Sequence, residues 1–575
     1  MAERSDTVPD TLVEGEHKGN EDHDTILRHR EPLTPLPSDD PRDPLNWPMW
    51  LKIVILVQTS LLAAIGGLNT ASINPAYLLL AEEFNISKVT ASYQTTVCIA
   101  LNGVAPWVWI PLSNKYGRRP VYLGTTLLGF ISALGCAYTR SFGQLIVARV
   151  FNGFFPVAFA LGAATVTDLF WYHQRGRAVG FFTVTMVNGS HLAPIVGGLL
   201  GQYCGWRWIF KFMAIIDAVM FLTSFFCLPE TLYIRKSPIS SSKLDAIQVA
   251  ADDAVTRPRF TKAIYFSHLG LHTNFPELRL TLNQFVIPAL KMAQYPSVLF
   301  PALYYATMYG FASILPAVTV AAIFTEFFHW NTLTIGLTYG ASLTMGGILG
   351  ECVSGWVVDF IVKRERKRMG RDPEPEVRLK AIWMGEIIVP AGLLIYGFCL
   401  QYHTVWIAPI LGMGIACFGL QIITTTTYTY SIDCYRTESS EVAQLFNFIR
   451  QEFGMTFAFY VVHLGDAIGY QWTFLMFALI GGGLAFIPML PIILHGENWR
   501  RKLGKPVGVN AFESMMVNTG DPDCHSQWDT DKRGERQGKE LGMRYEHVRD
   551  ERRTRHRHTY IPASNPSVPK GGILR

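Results

Sequence analysis

Between about residues 51 and 494 the chain alternates apolar blocks with short polar joints. Each block is roughly 18–25 residues long, the length an α-helix needs to cross a hydrocarbon core of about 30 Å at 1.5 Å per residue. Six blocks lie at about 51–73, 91–113, 120–138, 143–168, 177–203 and 207–228, and six more at about 296–325, 334–358, 379–401, 404–430, 441–464 and 470–494. The pattern predicts an all-α integral membrane protein with twelve transmembrane helices in two pseudo-symmetric six-helix bundles, residues 46–228 and 296–494. A polar stretch, residues 229–295, joins them as a cytoplasmic linker loop. The ends, residues 1–45 and 495–575, are too polar to bury a core and are expected to be disordered tails.

Lys and Arg concentrate in alternate joints, after the second block (Lys115, Arg118, Arg119), the fourth (Arg175, Arg177) and the eighth (Lys363, Arg364, Arg366, Lys367, Arg368). Short basic loops stay cytoplasmic, which assigns both termini and the linker to the cytoplasm. The intervening joints carry Glu82, Glu83 and Glu326 and fall outside. One of them holds the sequon Asn85-Ile86-Ser87, on the correct side for glycosylation of Asn85. A match this short also arises by chance.

Hydrophobic residues make up 49% of the 575-residue chain and charged residues 17%, too apolar for a soluble protein with long polar ends. The net charge is only +5, and the basic residues lie in joints and ends rather than along one helix face, which argues against nucleic-acid binding. The nine cysteines lack metal-ligand spacing and sit mostly in apolar blocks, where a thiol packs as a small hydrophobe. The sequence holds no phosphate-binding loop, paired-histidine metal motif or nucleophile elbow. It is therefore not expected to be an enzyme or to need a cofactor or metal, and energy for transport must come from a gradient. The lipid bilayer is an expected partner and nucleic acid is not, and the protein is expected to be a monomer; a small-molecule substrate and protons enter only with the family resemblance below.

Within the fifth block small residues recur every four positions, at Gly189, Ala193, Gly197, Gly201 and Gly205, beside Pro194 and Gly198. Such a stripe occupies one helix face and lets another helix come close, while Pro194 removes a backbone hydrogen bond and bends the helix. It reads either as a plain packing contact or as a pliable one between gating helices. His191, in the same block, is a candidate for binding substrate or a proton, because imidazole titrates near neutrality. A packed, hydrogen-bonded histidine is the competing reading. Arg149 is the strongest single residue, since a guanidinium among apolar residues stays charged and must meet an acceptor or water, unless it anchors at the membrane interface. Asp217, Glu351 and Glu386 are the acidic candidates for carrying a proton, because desolvation permits reversible protonation of a buried carboxyl. Glu351 and Glu386 lie about two turns from a cytoplasmic end, where snorkelling or pairing with a basic residue explains them equally well.

The joint after the second block reads Leu112-Ser-Asn114-Lys115-Tyr-Gly117-Arg118-Arg119, and that after the eighth Gly355-Trp-Val-Val-Asp359-Phe-Ile-Val-Lys363-Arg364. On these residues the chain resembles the major facilitator superfamily, whose loop signature is Gly-x-Leu-Ala-Asp-Arg-x-Gly-Arg-Arg. Ile110 replaces its first Gly and Asn114 its Asp. Four further segments are similar to those of the fungal twelve-span drug:proton antiporters: Asp43-Pro44-Leu45-Asn46-Trp47-Pro48, Arg175-Gly176-Arg177-Ala178, Leu228-Pro229-Glu230-Thr231-Leu232 and Tyr430-Ser-Ile-Asp433-Cys-Tyr435. The stretch from Gly189 to Gly198 resembles their signature Gly-x-x-x-Gly-Pro-x-x-Gly-Gly, with Ala193 for the second Gly. Arg149 to Gly153 resembles Arg-x-x-Gln-Gly, with Asn152 for Gln.

The resemblance implies two bundles rocking about a central cavity. It implies that Arg149 influences the protonation of a carboxylate, and that Asn114, Gly117, Arg118, Arg119 and Asp359 form a cytoplasmic latch, weakened by the neutral Asn114. A second cluster, Asp433, Glu438 and Glu441, reads either as a matching gate or as helix-end capping. The implied function is proton-coupled export of a small lipophilic organic compound (a drug, toxin or secondary metabolite) at the plasma membrane. Proton-coupled uptake of a nutrient such as a polyamine, sugar or vitamin, and a non-transporting membrane sensor, are the alternatives.

Overall fold

The computed structural model describes residues 40, 42–233, 261–270, 283–370, 373–435 and 438–504. The expected tails and most of the linker lie outside the described residues. Among the described residues, eleven helices are long and apolar enough to cross a membrane. In the first half these are Met49–Phe84, Lys88–Tyr116, Arg118–Ala137, Phe142–Leu169, Gln174–Cys204 and Trp206–Cys227. In the second they are Pro296–Phe328, Thr332–Met369, Pro375–Gln401, Ile407–Cys434 and Tyr470–Leu503. The remaining crossing, eleventh in chain order, consists of Ser439–Met455 and Phe457–Ile468, parted at Thr456. Its first part carries Glu441, Asn447, Arg450, Gln451 and Glu452, which keeps it from reading as a uniform apolar helix.

Local chemistry sets the helix ends. Three connections are a single glycine: Gly117 between the second and third spans, Gly205 between the fifth and sixth, and Gly469 between the eleventh and twelfth. Their φ values of +99°, +84° and +90° are ones that other L-residues rarely adopt, so each hinge point requires the missing Cβ. Ser87, Ser141 and Asn331 cap the starts of the second, fourth and eighth spans by accepting from the backbone N–H three residues on. Asn85 closes the first span in a left-handed conformation, φ 51°, which asparagine tolerates better than most side chains, and is exposed. The last span continues to Leu503, beyond the boundary at 494 drawn from hydropathy. Arg500, Arg501 and Lys502 occupy its final turn, where cations complement the helix dipole.

In the first half the fifth span packs along the first and the third along the sixth; in the second half the ninth packs on the tenth and twelfth, and the seventh on the eleventh. The halves meet along two seams, fifth against eighth and second against eleventh. The described part of the linker is not a free loop. Residues 229–233 and 261–270 fold back beneath the first half, where Glu230 N–H donates to the His268 carbonyl at 2.9 Å and the Trp47 and His268 rings meet edge to face at 5.3 Å.

Candidate functional site

The small-residue stripe of the fifth span has two faces with two partners. Toward the first span, a Cβ on Gly197 would lie 1.6 Å from the Ser72 carbonyl oxygen, and one on Gly189 would lie 2.4 Å from that of Ala64. Ala193, between them, is fully buried. Toward the eighth span, Gly198 faces Gly336, where a Cβ on Gly336 would lie 2.4 Å from the Pro194 carbonyl and one on Gly198 would lie 2.9 Å from the Gly336 Cα. The stripe thus ties one bundle together on one side and forms a backbone-to-backbone seam with the other bundle on the next.

Below that seam lies a cavity of about 60 Å3 shared by both halves. Its lining includes Thr70, Asn74 and Asn102 from the first two spans, Phe159 and His191, then Tyr309, Tyr339 and Arg450 from the second half. The volume is that of a couple of waters, far below the roughly 300–1,000 Å3 of a drug-sized site. A larger cleft of about 740 Å3 between the eighth and tenth spans is lined by residues such as Met345, Leu349, Ile407 and Phe418. It bears no charged group, and an acyl chain is its natural filling.

Separate hydrogen bonds, connected only through the main chain at Asn69–Thr70 and at Asn102, cross the molecule at this level. Asn69 Nδ2 donates to both Asp217 oxygens at 3.1 and 3.3 Å. One residue on, Thr70 Oγ1 accepts from Asn102 Nδ2 at 3.0 Å, and the Asn102 carbonyl accepts from Asn447 Nδ2 of the other half at 3.0 Å. Asn447 Oδ1 accepts from Arg450 Nη2 at 2.8 Å, and Arg450 Nη1 donates to Tyr305 Oη at 3.2 Å. Arg149, fully buried, braces the same strip of chain from behind. Its Nη1 and Nη2 donate to the Asn69 and Thr70 carbonyls at 2.9 Å each, and Nη1 to Asn152 Oδ1 at 2.6 Å. Those carbonyls belong to the last turn of helix Met49–Ala71, which has no intrahelical donors for them, so Arg149 acts there as a C-terminal cap.

The other sequence candidates fall in different places. Asp217 is 5% exposed and borders a second, small cavity of about 30 Å3 inside the first bundle. His191 is buried on the cavity wall at the bundle seam, its Nδ1 without a partner and its Nε2 4.0 Å from Cys417 Sγ. Glu351 accepts from Thr425 Oγ1 at 3.2 Å and lies one turn along the eighth span from Gly347, the glycine that abuts His191. Glu386 accepts from Tyr304 Oη at 2.5 Å inside the second bundle and does not line the shared cavity.

The latch residues form two clasps, one in each half. Arg118 Nη2 meets Asp168 at 2.7 Å, joining the start of the third span to the end of the fourth. Arg119 donates to the Leu228 and Phe225 carbonyls at 2.7 and 2.6 Å, capping the end of the sixth span. Glu230, just past that end, accepts the Arg118 and Arg119 backbone N–H groups at 3.0 and 3.1 Å and caps the third span in return. Gly117 supplies the turn that brings both arginines to this point, and Asn114 is half-buried at the end of the second span. In the second half Asp433 pairs with Arg378 at 2.8 Å, and Arg500 reaches Glu374 and Glu376 at 2.7 and 3.3 Å. Asp359 lies outside both clasps and is exposed. It shares the outward face of the eighth span with Gly355, Trp356 and Phe360, all exposed.

Reading the sequence underrated Arg450 and Asn447, which carry these hydrogen bonds across the seam, and the clasp partners Asp168, Glu230 and Arg378. The signal for the first pair was present: Asn447 and Arg450 stand one turn apart, as Arg149 and Asn152 do in the opposite order.

Curated transporters are similar in sequence to this chain along most of their length. An efflux pump of Floropilus chiversii, radE, is 27% identical over 473 residues, covering 80% of this chain and 83% of the pump. The MFS-type transporter penM of Penicillium rubens is 27% identical over 470 residues, covering 80% and 88%. The MFS-type transporter atr4 of Stereocaulon alpinum is 28% identical over 467 residues, covering 80% and 81%. The sequence model of the Major Facilitator Superfamily matches residues 59–459, which include the bundle seams, the shared cavity and Arg149, Asp217 and Arg450; the chain belongs to that superfamily.

Proposed function

We propose that this transporter exports a small, largely lipophilic organic compound from the cytoplasm across the plasma membrane in exchange for protons, with Asp217 as the proton carrier. The observation that carries the reading is the Asp217–Asn69 pair, with Asn69 next in the chain to Thr70, which lines the cavity. Asp217 has no cation at salt-bridge distance among the described residues, and its Asn69 partner keeps a buried Oδ1 with no partner. In the ionised state the amide N–H groups face the carboxylate; with the amide turned over, Oδ1 accepts from the protonated carboxyl. Because Asn69 is followed by Thr70, whose hydroxyl connects to Asn102 and the second half, a change at Asp217 has a short mechanical route to the seam.

The lipophilic cargo is supported by Phe159, Ile99, Tyr309 and Tyr339 on the cavity wall. The direction is supported by the similarity to radE, an efflux pump. The basic joints support a cytoplasmic side for the two clasps.

The test is flux in two stages. Cells with and without the protein are compared for retention of a panel of fluorescent lipophilic compounds, and a responsive compound is followed in proteoliposomes under an imposed proton gradient. Wild-type protein is expected to move it against its own gradient, opposite to the protons. Asp217→Asn is expected to lose uphill movement and keep downhill exchange. Full uphill activity in Asp217→Asn removes Asp217 from the role, and uphill movement in the same direction as the protons removes the export reading.

A further inference from the structure

We infer that Arg450 is the anchor for a carboxylate on the transported compound, so that the cargo is a lipophilic organic acid. The inference deepens the proposed function and rests on its reading of the shared cavity as the place where cargo binds.

Arg450 is 6% exposed and lines that cavity. A guanidinium has five N–H donors. Here Nη1 and Nη2 each donate to a neutral oxygen, of Tyr305 and Asn447, while the buried Nε–H has no acceptor. The Tyr309 ring covers one face at 4.5 Å, which eases the charge without neutralising it. No carboxylate lines the cavity. Glu452, two residues along the helix, is turned toward the second span, its Oε1 2.7 Å from where a Cβ on Gly103 would lie. An unbalanced cation inside a membrane protein is costly to keep and marks the site of a charge that arrives from outside. The planar fork of arginine matches a carboxylate with two parallel hydrogen bonds, a fit that an ammonium cannot copy.

The other buried arginine shows the difference. Arg149 spends its terminal nitrogens on two main-chain carbonyls and Asn152 within one bundle and does not line the cavity. The cavity that Arg450 lines, about 60 Å3, has room for a group the size of a carboxylate. The apolar part of the cargo then lies against Ile99, Phe159, Ile314 and Tyr339 once the bundles separate.

Purified full-length protein in nanodiscs is titrated with matched acid and amide pairs: benzoate and benzamide, 2-naphthoate and 2-naphthamide, indole-3-acetate and its amide. Binding is read by calorimetry and by the shift in unfolding temperature. Wild type is expected to bind at least one acid tenfold or more tighter than its amide. Arg450→Gln is expected to erase that preference while leaving amide binding in place. Should Arg450→Gln fail to fold, Arg450→Lys is used, and a fall in acid affinity of fivefold or more with amide affinity unchanged is the expected result. No acid preferred over its amide across the panel, or a preference that survives the loss of Arg450, overturns the inference. The two proposals fail separately. Uphill export of a neutral compound with no acid preference leaves the export reading standing and ends this one, whereas acid-selective binding without proton-driven flux does the reverse.

Discussion

Arg149 and Arg450 are both buried guanidiniums one helical turn from an asparagine that accepts from them, yet their surroundings differ in kind. Arg149 is closed in by the first bundle: two carbonyls in the last turn of helix Met49–Ala71, Asn152, and the Phe210 ring at 5.5 Å. Arg450 stands at the seam between bundles with neutral partners and a donor to spare. The difference teaches that a charge inside a membrane protein has no single meaning. One fastens the scaffold at a point where the helix runs out of its own donors, and the other is held ready where the two halves meet.

The sharpest way to break the comparison is to delete each charge. Arg149→Met leaves the Asn69 and Thr70 carbonyls without donors inside the bundle and is expected to cost about 1–3 kcal/mol for each. The measurement is loss of the monodisperse peak in size-exclusion chromatography of detergent-extracted protein. Arg450→Met is expected to keep that peak, and equal loss from both would erase the distinction. The next contrast is between the two faces of the fifth span. Gly197→Val drives a side chain into the Ser72 carbonyl within the first bundle and is expected to destabilise it by roughly 1–3 kcal/mol, read as a lower unfolding temperature. Gly198→Val adds bulk at the seam with Gly336 instead and is expected to slow transport while the unfolding temperature holds. A finer contrast concerns the asparagines. Asn152→Leu removes one acceptor from Arg149 and is expected to cost about 1–2 kcal/mol, whereas Asn447→Leu is expected to affect transport more than stability. The smallest effect is expected at the clasp: Glu230→Gln keeps an acceptor for the third span but removes the charge at its N-terminus, worth about 0.3–1 kcal/mol, measurable as a modest shift in unfolding temperature that salt reduces.

The twelve crossings were legible because hydropathy depends on composition within a window no longer than one helix. The end of the last span at Leu503 was not, because there the helix is held by Arg500 and its partners Glu374 and Glu376 rather than by apolar residues. Arg149 stood out in the sequence as a lone charge, but its carbonyl partners lie about 80 residues earlier in the chain and leave no trace in side-chain identity. Arg450 was harder to see, since it shares its half-helix with Glu441, Gln451 and Glu452 and no apolar background sets it apart. The clasp arginines were visible, whereas Glu230, 111 and 112 residues from the N–H groups it accepts, was legible only as part of a motif without a role.

Where Gly198 meets Gly336, the opposing surfaces are main chain against main chain, with no side chains interleaved. Such a join has little friction. At this pair nothing has to change rotamer before the halves slide or peel, whereas elsewhere in the same seam Ile195 lies against Gly340 and His191 against Gly347. Any residue that adds a tooth at the bare pair will favour one resting position.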